Sequence, residues 1–341
     1  MSATNSIRSG NTLGADEISE AMRVIMQGVA NDDLIRDFLK VLAARTPTGE
    51  ELAGACDVMK ECVQRVDLPD SDSLLDTCGT GGAPKTFNVS TAAGIVAAAC
   101  GVRVAKHGNR SRTGRGSAEV LKQLGINIEL STDHQARCLE EVGICFCFAP
   151  RHHKSVAHAM PARKSLKFPT IFNLLGPLTN PCSAGRQLLG VWDDKYVEPM
   201  AEALLRGGTT CSAVVHSHDG LDEISISAPT RILYVKDGGF SEGVIDPEDL
   251  GLALWDREDV TATSLDMAVA LVLESIVDGK PGAPKDMAVI NSAVGLLVAG
   301  RVQSLQEGVD LASSIIDTGK VGEVLQRWIQ VSNTNKSSTD S

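Results

Sequence analysis

Asp76-Thr-Cys-Gly-Thr-Gly-Gly-Ala-Pro-Lys-Thr-Phe-Asn-Val-Ser-Thr91 is the stretch whose reading decides the fold. Gly79-Thr80-Gly81-Gly82 comes first, then Thr86-Phe87-Asn88-Val89-Ser90-Thr91, then an apolar run from Ala92 to Cys100. Glycine tolerates positive φ and lets the backbone approach a ligand closely. The Asn/Ser/Thr cluster supplies hydroxyl, amide and N–H donors where a helix begins, and a helix N-terminus favours anions. The stretch reads as a phosphate-cradling loop between a strand and a helix. A glycine turn with an ordinary Ser/Thr cap is the other reading these residues allow.

Outward from the loop, the texture of the chain changes twice. Ile18, Met22, Ile25 and Met26, and then Leu34, Phe38, Leu39 and Leu42, recur at helical spacing, so residues 16–66 read as helices. Pro69 to Ser73 is a polar linker. From Leu74 onward strands and helices alternate. Strands are expected at 74–76, 102–105, 126–129, 144–148, 187–191, 211–216, 223–227 and 230–235. Helices are expected at 90–100, 117–124, 133–142, 196–206, 264–277 and 285–300. Such alternation predicts an α/β fold with a mainly parallel central sheet flanked by helices. Ligands of these sheets bind at the carboxyl ends of strands, where the glycine loop and Lys106 fall. Residues 1–14 and 332–341 are small and polar and read as disordered.

Three further constellations carry chemistry. Lys106-His107-Gly108-Asn109-Arg110-Ser111-Arg112-Thr113-Gly114-Arg115-Gly116-Ser117 places cations at a strand-to-helix turn and favours a polyphosphate over a neutral ligand. A solvated basic loop capped by Ser117 is the alternative. His216-Ser-His-Asp219-Gly-Leu-Asp222-Glu223 brings three carboxylates to a strand end. These could hold Mg²⁺, which takes oxygen ligands and bridges to substrate phosphate, although Asp219-Gly220 is also an ordinary turn. Ala149-Pro-Arg151-His152-His153, with Arg163 beyond it, offers a cationic site for a carboxylate.

Composition narrows the function. The chain has 341 residues, 43% hydrophobic and 22% charged, enough for a sizeable core. A formal net charge of −11 opposes general binding to nucleic acid or anionic membrane. The nine cysteines are odd in number and form no CxxC pair, which fits reduced thiols in a cytoplasm. Cys145 and Cys147 would share one face of a strand, but no second ligand pair accompanies them. The polar N-terminus has no signal-peptide core, and no run reaches the roughly 20 apolar residues of a membrane span.

Read together, Gly79–Gly82 with Thr86–Thr91, Lys106–Ser111 with Gly116–Leu121, Phe148–His153, Ile171–Pro181 and Asp219–Ser225 resemble, in order, the motifs of anthranilate phosphoribosyltransferases. The resemblance runs from about Ile18 to Arg327. It implies a small all-helical domain at 15–70, with a discontinuous part around 163–185, and a larger α/β domain at 71–162 and 186–331. It also implies a homodimer formed through the helical domain. The implied reaction joins anthranilate to 5-phosphoribosyl 1-pyrophosphate, giving N-(5-phosphoribosyl)anthranilate and pyrophosphate in tryptophan biosynthesis.

Carried over by motif, Gly79, Gly82, Ala83, Thr86, Asn88, Val89, Ser90, Thr91, Lys106, His107, Gly108, Asn109 and Ser117 would line the donor site. Gly79, Asn109, His153 and Arg163 would receive anthranilate, with Arg163 facing its carboxylate. Ser90, Asp222 and Glu223 would hold Mg²⁺. Lys106, His107 and Arg163 would be catalytic, and the proton acceptor would be His107 or water. The sequence departs from the family where an Asp usually follows GTGG: here stands Ala83, and the loop is shorter. Arg112-Thr113-Gly114-Arg115 likewise replaces the usual Ser-Ser pair. A nucleoside phosphorylase of related fold and a non-catalytic nucleic-acid-binding relative are the competing readings.

Overall fold

A computed structural model describes residues 2–334. The first layer consists of α1 (Ser2–Arg8), α2 (Ala15–Met26), α3 (Asp32–Ala43) and α4 (Gly49–Glu61). Helical spacing puts Ile18, Met22, Ile25 and Met26 on one buried face of α2, and Ile35, Phe38, Leu39 and Leu42 on one face of α3. Side-chain caps fix the starts. Asn31 Oδ1 accepts from Leu34 N, and Thr48 Oγ1 accepts from Glu51 N while the Glu51 carboxylate accepts from Thr48 N.

Where composition predicts disorder over 1–14, the structure has α1, with Ala3 and Ile7 buried, Arg8 paired to Asp37 of α3, and Leu13 buried. Seven residues are too few for a helix to hold alone; tertiary contact with α3 supplies what propensity does not. Leu13 N donates to Glu51, which is wholly buried and also paired with Arg45. Burial alone would raise this carboxyl, but Arg45 and the amides of Leu13 and Thr48 outweigh it and hold the pKa below the ordinary value.

The chain then enters the sheet through β1 (Leu75–Gly79), α5 (Val89–Ala99), β2 (Val104–Gly108), α6 (Ser117–Gln123), α7 (Thr132–Val142) and β3 (Ile144–Phe148). Three short helices follow: α8 (Ala149–His152), α9 (Met160–Ser165) and α10 (Ile171–Leu175). The sheet resumes with β4 (Arg186–Gly190), α11 (Val197–Arg206), β5 (Cys211–Ser217), β6 (Thr230–Lys236) and β7 (Gly239–Ile245). It is closed off by α12 (Leu265–Ile276), α13 (Ala283–Val298), α14 (Leu305–Asp317) and α15 (Lys320–Asn333). The strand order is β3-β2-β1-β4-β5-β6-β7, parallel as far as β5 and antiparallel at β6 and β7.

The order reverses direction between β1 and β4, the place where open α/β sheets leave a crevice for ligand. Both strands end there on glycine, and Gly79 and Gly190 are register partners. A large core fills the space between the sheet and α5, α7 and α12–α15. A second core joins α1–α4, α9 and α10 to the other face of the sheet through α11, which packs on α4 as well as on β5 and β6.

Some expected elements differ. Residues 126–129 form no strand: Asn127 N donates to Ser332 Oγ and Glu129 N to Asn127 Oδ1, so side chains take the bonds a ladder would need. Residues 223–227 are a loop for the same reason, with Ile224 N held by Asn291 and Ser225 N by Thr230 Oγ1. The strand expected at 102–105 begins two residues later, which puts Lys106 and His107 inside β2. At the C-terminus α15 extends through Ser332 and Asn333, and Ser332 is buried, contrary to the expected start of a disordered tail; residues 335–341 lie outside the described residues.

Removing the Glu51 carboxylate leaves Arg45 without its partner and the amides of Leu13 and Thr48 without their acceptor. Glu51→Ala is expected to lower unfolding free energy by about 3 kcal/mol. Urea denaturation, showing a lower midpoint at unchanged slope, checks it.

Candidate active site

The carboxylates of Asp222 and Glu223 lie at the crevice between β1 and β4. They line one small cavity with Thr77, Ser90, Gly190 and Asn291. The turn that carries them is fixed from several sides. Gly81 N donates to Asp222 Oδ2 at 3.1 Å, and Thr86 Oγ1 donates to Glu223 Oε2 at 2.6 Å. Asn291 of α13 accepts from Ile224 N and donates to Ile224 O, as a neighbouring strand would. Gly79 and Gly190 leave room: a Cβ on Gly79 would come 2.8 Å from Asp222 Oδ2, and one on Gly190 would come 1.6 Å from Asp222 O.

Burial, then the charge of Asp222, pushes Glu223 up to about 8, and burial raises Asp222 as well. Lys85 acts on both from the glycine loop, but neither carboxylate has an ion-pair partner among the described residues. Two half-buried acids and a serine hydroxyl are oxygen donors, and a bound cation would favour the acids' charged forms. The set fits a hard divalent cation such as Mg²⁺.

On the other side of the cavity, Lys106 Nζ donates to Thr77 O at 2.5 Å and to Ser90 Oγ at 3.3 Å. Lys106 is almost fully buried; desolvation lowers its pKa against the opposing pull of Asp76, Cys78 and Glu223. Ser90 lies in the first turn of α5, which carries no acidic side chain. Val89 and Thr91 are wholly buried, so their side chains support the helix start from below, and Thr91 Oγ1 has no hydrogen-bond partner. Asn88 Nδ2 donates to Arg115 O and so ties the glycine loop to the basic loop. Ala83 is half-buried in irregular backbone, and Gly82, at φ +109°, lies against Trp192.

β2 divides the remaining residues. Lys106 faces Ser90, whereas His107, one residue on, points to the other side of the sheet. There its ring centroid is 5.1 Å from that of His153. Both histidines are buried and neutral: burial, with the neighbouring histidines, holds His107 well below its ordinary value and His153 at about 4. Neither His107 Nε2 nor either ring nitrogen of His153 has a hydrogen-bond partner. Gly108 and Asn109 end the strand. A Cβ on Gly108 would come 2.3 Å from Ser117 Oγ, which donates to Asn109 O at 3.5 Å. Arg163 stands apart on α9, its guanidinium 4.8 Å over the Phe172 ring; burial, then the charge of Arg112, lowers it to about 10.

Residues 71–321 match the α/β-domain model of a glycosyl transferase family, and residues 1–63 match its helical-bundle model. A curated anthranilate phosphoribosyltransferase of Petrotoga mobilis is 42% identical over 326 residues, covering 95% of this chain and 94% of its own. The chain belongs to the anthranilate phosphoribosyltransferase family. Its member from Thermus thermophilus has a solved structure with a TM-score of 0.90 and 34% identity, covering 98% of this chain and 100% of that one. The Saccharomyces cerevisiae family member, solved in complex with PRPP and Mg, has a TM-score of 0.88 and 26% identity over 97% of each chain.

Several supports of this family site escape sequence reasoning. Asp76 is buried under β2, accepting from His107 N, Asn180 Nδ2 and Gln187 Nε2; burial raises it to about 6 despite Lys106 and Asn180. Thr77 contributes a backbone oxygen, and Asn291 grips the acidic turn. One signal was present: Asn291 is the one side-chain amide in a largely apolar helical run, Met287-Ala-Val-Ile-Asn-Ser-Ala-Val-Gly-Leu-Leu297. A methyl group at Gly190 must displace the Asp222 backbone. Gly190→Ala is expected to cost about 1–3 kcal/mol of stability and to abolish Mg²⁺-stimulated turnover, measured by calorimetry and a Mg²⁺ titration of activity.

Proposed function

We infer that the protein transfers the phosphoribosyl group of 5-phosphoribosyl 1-pyrophosphate to anthranilate, and we assign the roles as follows. The observation that carries the assignment is the single cavity lined by Ser90, Asp222 and Glu223, with Lys106 bonded to Ser90 at its wall. Displacement at ribose C1 builds negative charge on the departing pyrophosphate. Asp222, Glu223 and Ser90 would hold Mg²⁺, which would supply positive charge to stabilise the departing pyrophosphate. Lys106 and the N-terminal turn of α5 stabilise the same charge from the protein side. Gly79, Gly82, Ala83, Thr86, Asn88, Val89 and Thr91, with Gly108, Asn109 and Ser117, shape the donor site.

Anthranilate is received beside Gly79, Asn109 and His153, with Arg163 facing its carboxylate. Its aniline nitrogen is neutral, so the protein's task is to hold it in line with C1. Burial and its histidine neighbours lower the pKa of His107 and so disfavour the imidazolium that taking the proton would form. Water is the acceptor this assignment favours. We place the enzyme in the cytoplasm, in line with nine free cysteines; no helix among the described residues is long and apolar enough to cross a membrane. We also propose self-association through the helical layer, where Val29, Leu34 and Phe168 are exposed.

Anthranilate fluorescence tests the reading. It should fall only when donor and Mg²⁺ are both present. Arg163→Ala should lower kcat/KM for anthranilate by roughly 10–100-fold, the loss of a charge-assisted bond. Unconsumed anthranilate, with Arg163→Ala and wild type alike, sinks it, as does phosphorolysis of thymidine in its place. Ala83→Asp restores the acid this chain lacks and should strengthen inhibition by excess Mg²⁺; an unchanged Mg²⁺ profile would show that Ala83 does not set metal dependence.

A further inference from the structure

Cys145 and Cys147 flank Phe146 on β3, so the pleat sends both thiols to one face of the strand. A third thiol arrives from far along the chain. Cys182 follows Pro181 in the turn between α10 and β4, and its Sγ is 3.4 Å from that of Cys147. The three Sγ atoms lie within 4.8 Å of one another, and all three residues are buried. Among the described residues this is the group of three potential metal-ligating side chains that converges in this way.

We propose that Cys145, Cys147 and Cys182 form a buried three-sulfur site for a soft monovalent cation of the copper(I) kind. Thiolates select soft ions, and nothing in the cluster offers oxygen to Mg²⁺. A metal–sulfur bond of about 2.3 Å, three in a plane, separates the sulfurs by about 4 Å. The Cys147–Cys182 separation of 3.4 Å and the 4.8 Å limit on all three bracket that spacing, so small side-chain movements complete the triangle. Among the described residues no fourth ligand, which structural zinc requires, joins the three thiols. His152 is near enough for its charge to act on Cys182, but its Nδ1 is bonded to Gln64 O at 2.6 Å and its Nε2 to the Gln135 amide at 3.0 Å. Cys78 lies elsewhere, accepting from Gln187. The site is separate from the acidic pair, since β3 is the edge strand and Asp222 and Glu223 face the crevice beyond β1.

Binding exchanges thiol protons for the cation and releases them to solvent; no electrons move. An occupied site ties β3 to the turn whose Asn180 bonds Asp76 at 2.8 Å, so it should also raise thermal stability.

The test is anaerobic titration of the reduced full-length protein with copper(I) against a chromophoric copper(I) chelator. Wild type should withhold one equivalent, show the luminescence of a water-excluded copper–thiolate centre, and melt at a higher temperature. Cys182→Ala should lose that equivalent, and Cys62→Ala, at an exposed position, should keep it. X-ray absorption of the wild-type complex needs no variant and should show three sulfurs around copper. No retention by wild type overturns the proposal. So do equal retention by Cys182→Ala, a first shell containing nitrogen, oxygen or a fourth sulfur, and zinc retained in preference to copper(I).

Discussion

Two neighbouring carboxylates, Asp222 and Glu223, sit half-buried at the end of a crevice, where partial loss of water makes both charges harder to keep and the charge of Asp222 makes that of Glu223 harder still. Much of the surrounding architecture is explained by that constraint. The glycine loop turns a backbone N–H toward one acid and a threonine hydroxyl toward the other. A largely apolar helix gives an interior position to an asparagine so that the acidic turn has a partner for its backbone. Two strands end on glycine because a single methyl group would collide with the turn.

The pleat of β2 sorts the chemistry. Lys106 goes to the side of Ser90 and the acidic crevice, and His107 goes to a side lined by His153 and backed by the Asp76–Asn180–Gln187 network. Adjacent residues in sequence are thus given opposite electrostatic environments by a period of two. One is a cation beside acids, the other a neutral ring among neutral rings. The Asp76 carboxylate binds the backbone N–H of His107 rather than its ring, so it fixes the strand and leaves the imidazole unpolarised.

The alternation of strands and helices, the glycine loop and the basic loop were legible in the sequence because each has a local cause: periodicity, missing Cβ atoms, clustered charge. Asp222 and Glu223 were legible as a pair, but the turn they occupy looked like a strand, because hydrogen bonds from Asn291 and Thr230 across the chain replace its ladder. Residues 126–129 misled for the same reason, apolar alternation without a backbone partner. α1 was missed because its stability comes from α3 rather than from its own residues. Cys182 could not be read as a neighbour of Cys145 and Cys147, since nothing local says where a turn after a short helix will dock. The edge strand β7 went unnoticed because Gly239-Phe-Ser-Glu-Gly-Val-Ile245 mixes glycine and charge with few apolar residues.

α11 belongs to both layers, lying on β5 and β6 with one side and on α4 with another. During synthesis the N-terminal helices leave the ribosome with their apolar faces uncovered, and the helix that covers α4 is not complete until Arg206 has been added. The first quarter of the protein therefore waits, partly exposed, for a segment made much later. Chaperone contact and proteolytic risk are concentrated in that interval, so a slow codon run between α4 and α11 would lengthen the exposure of α2–α4.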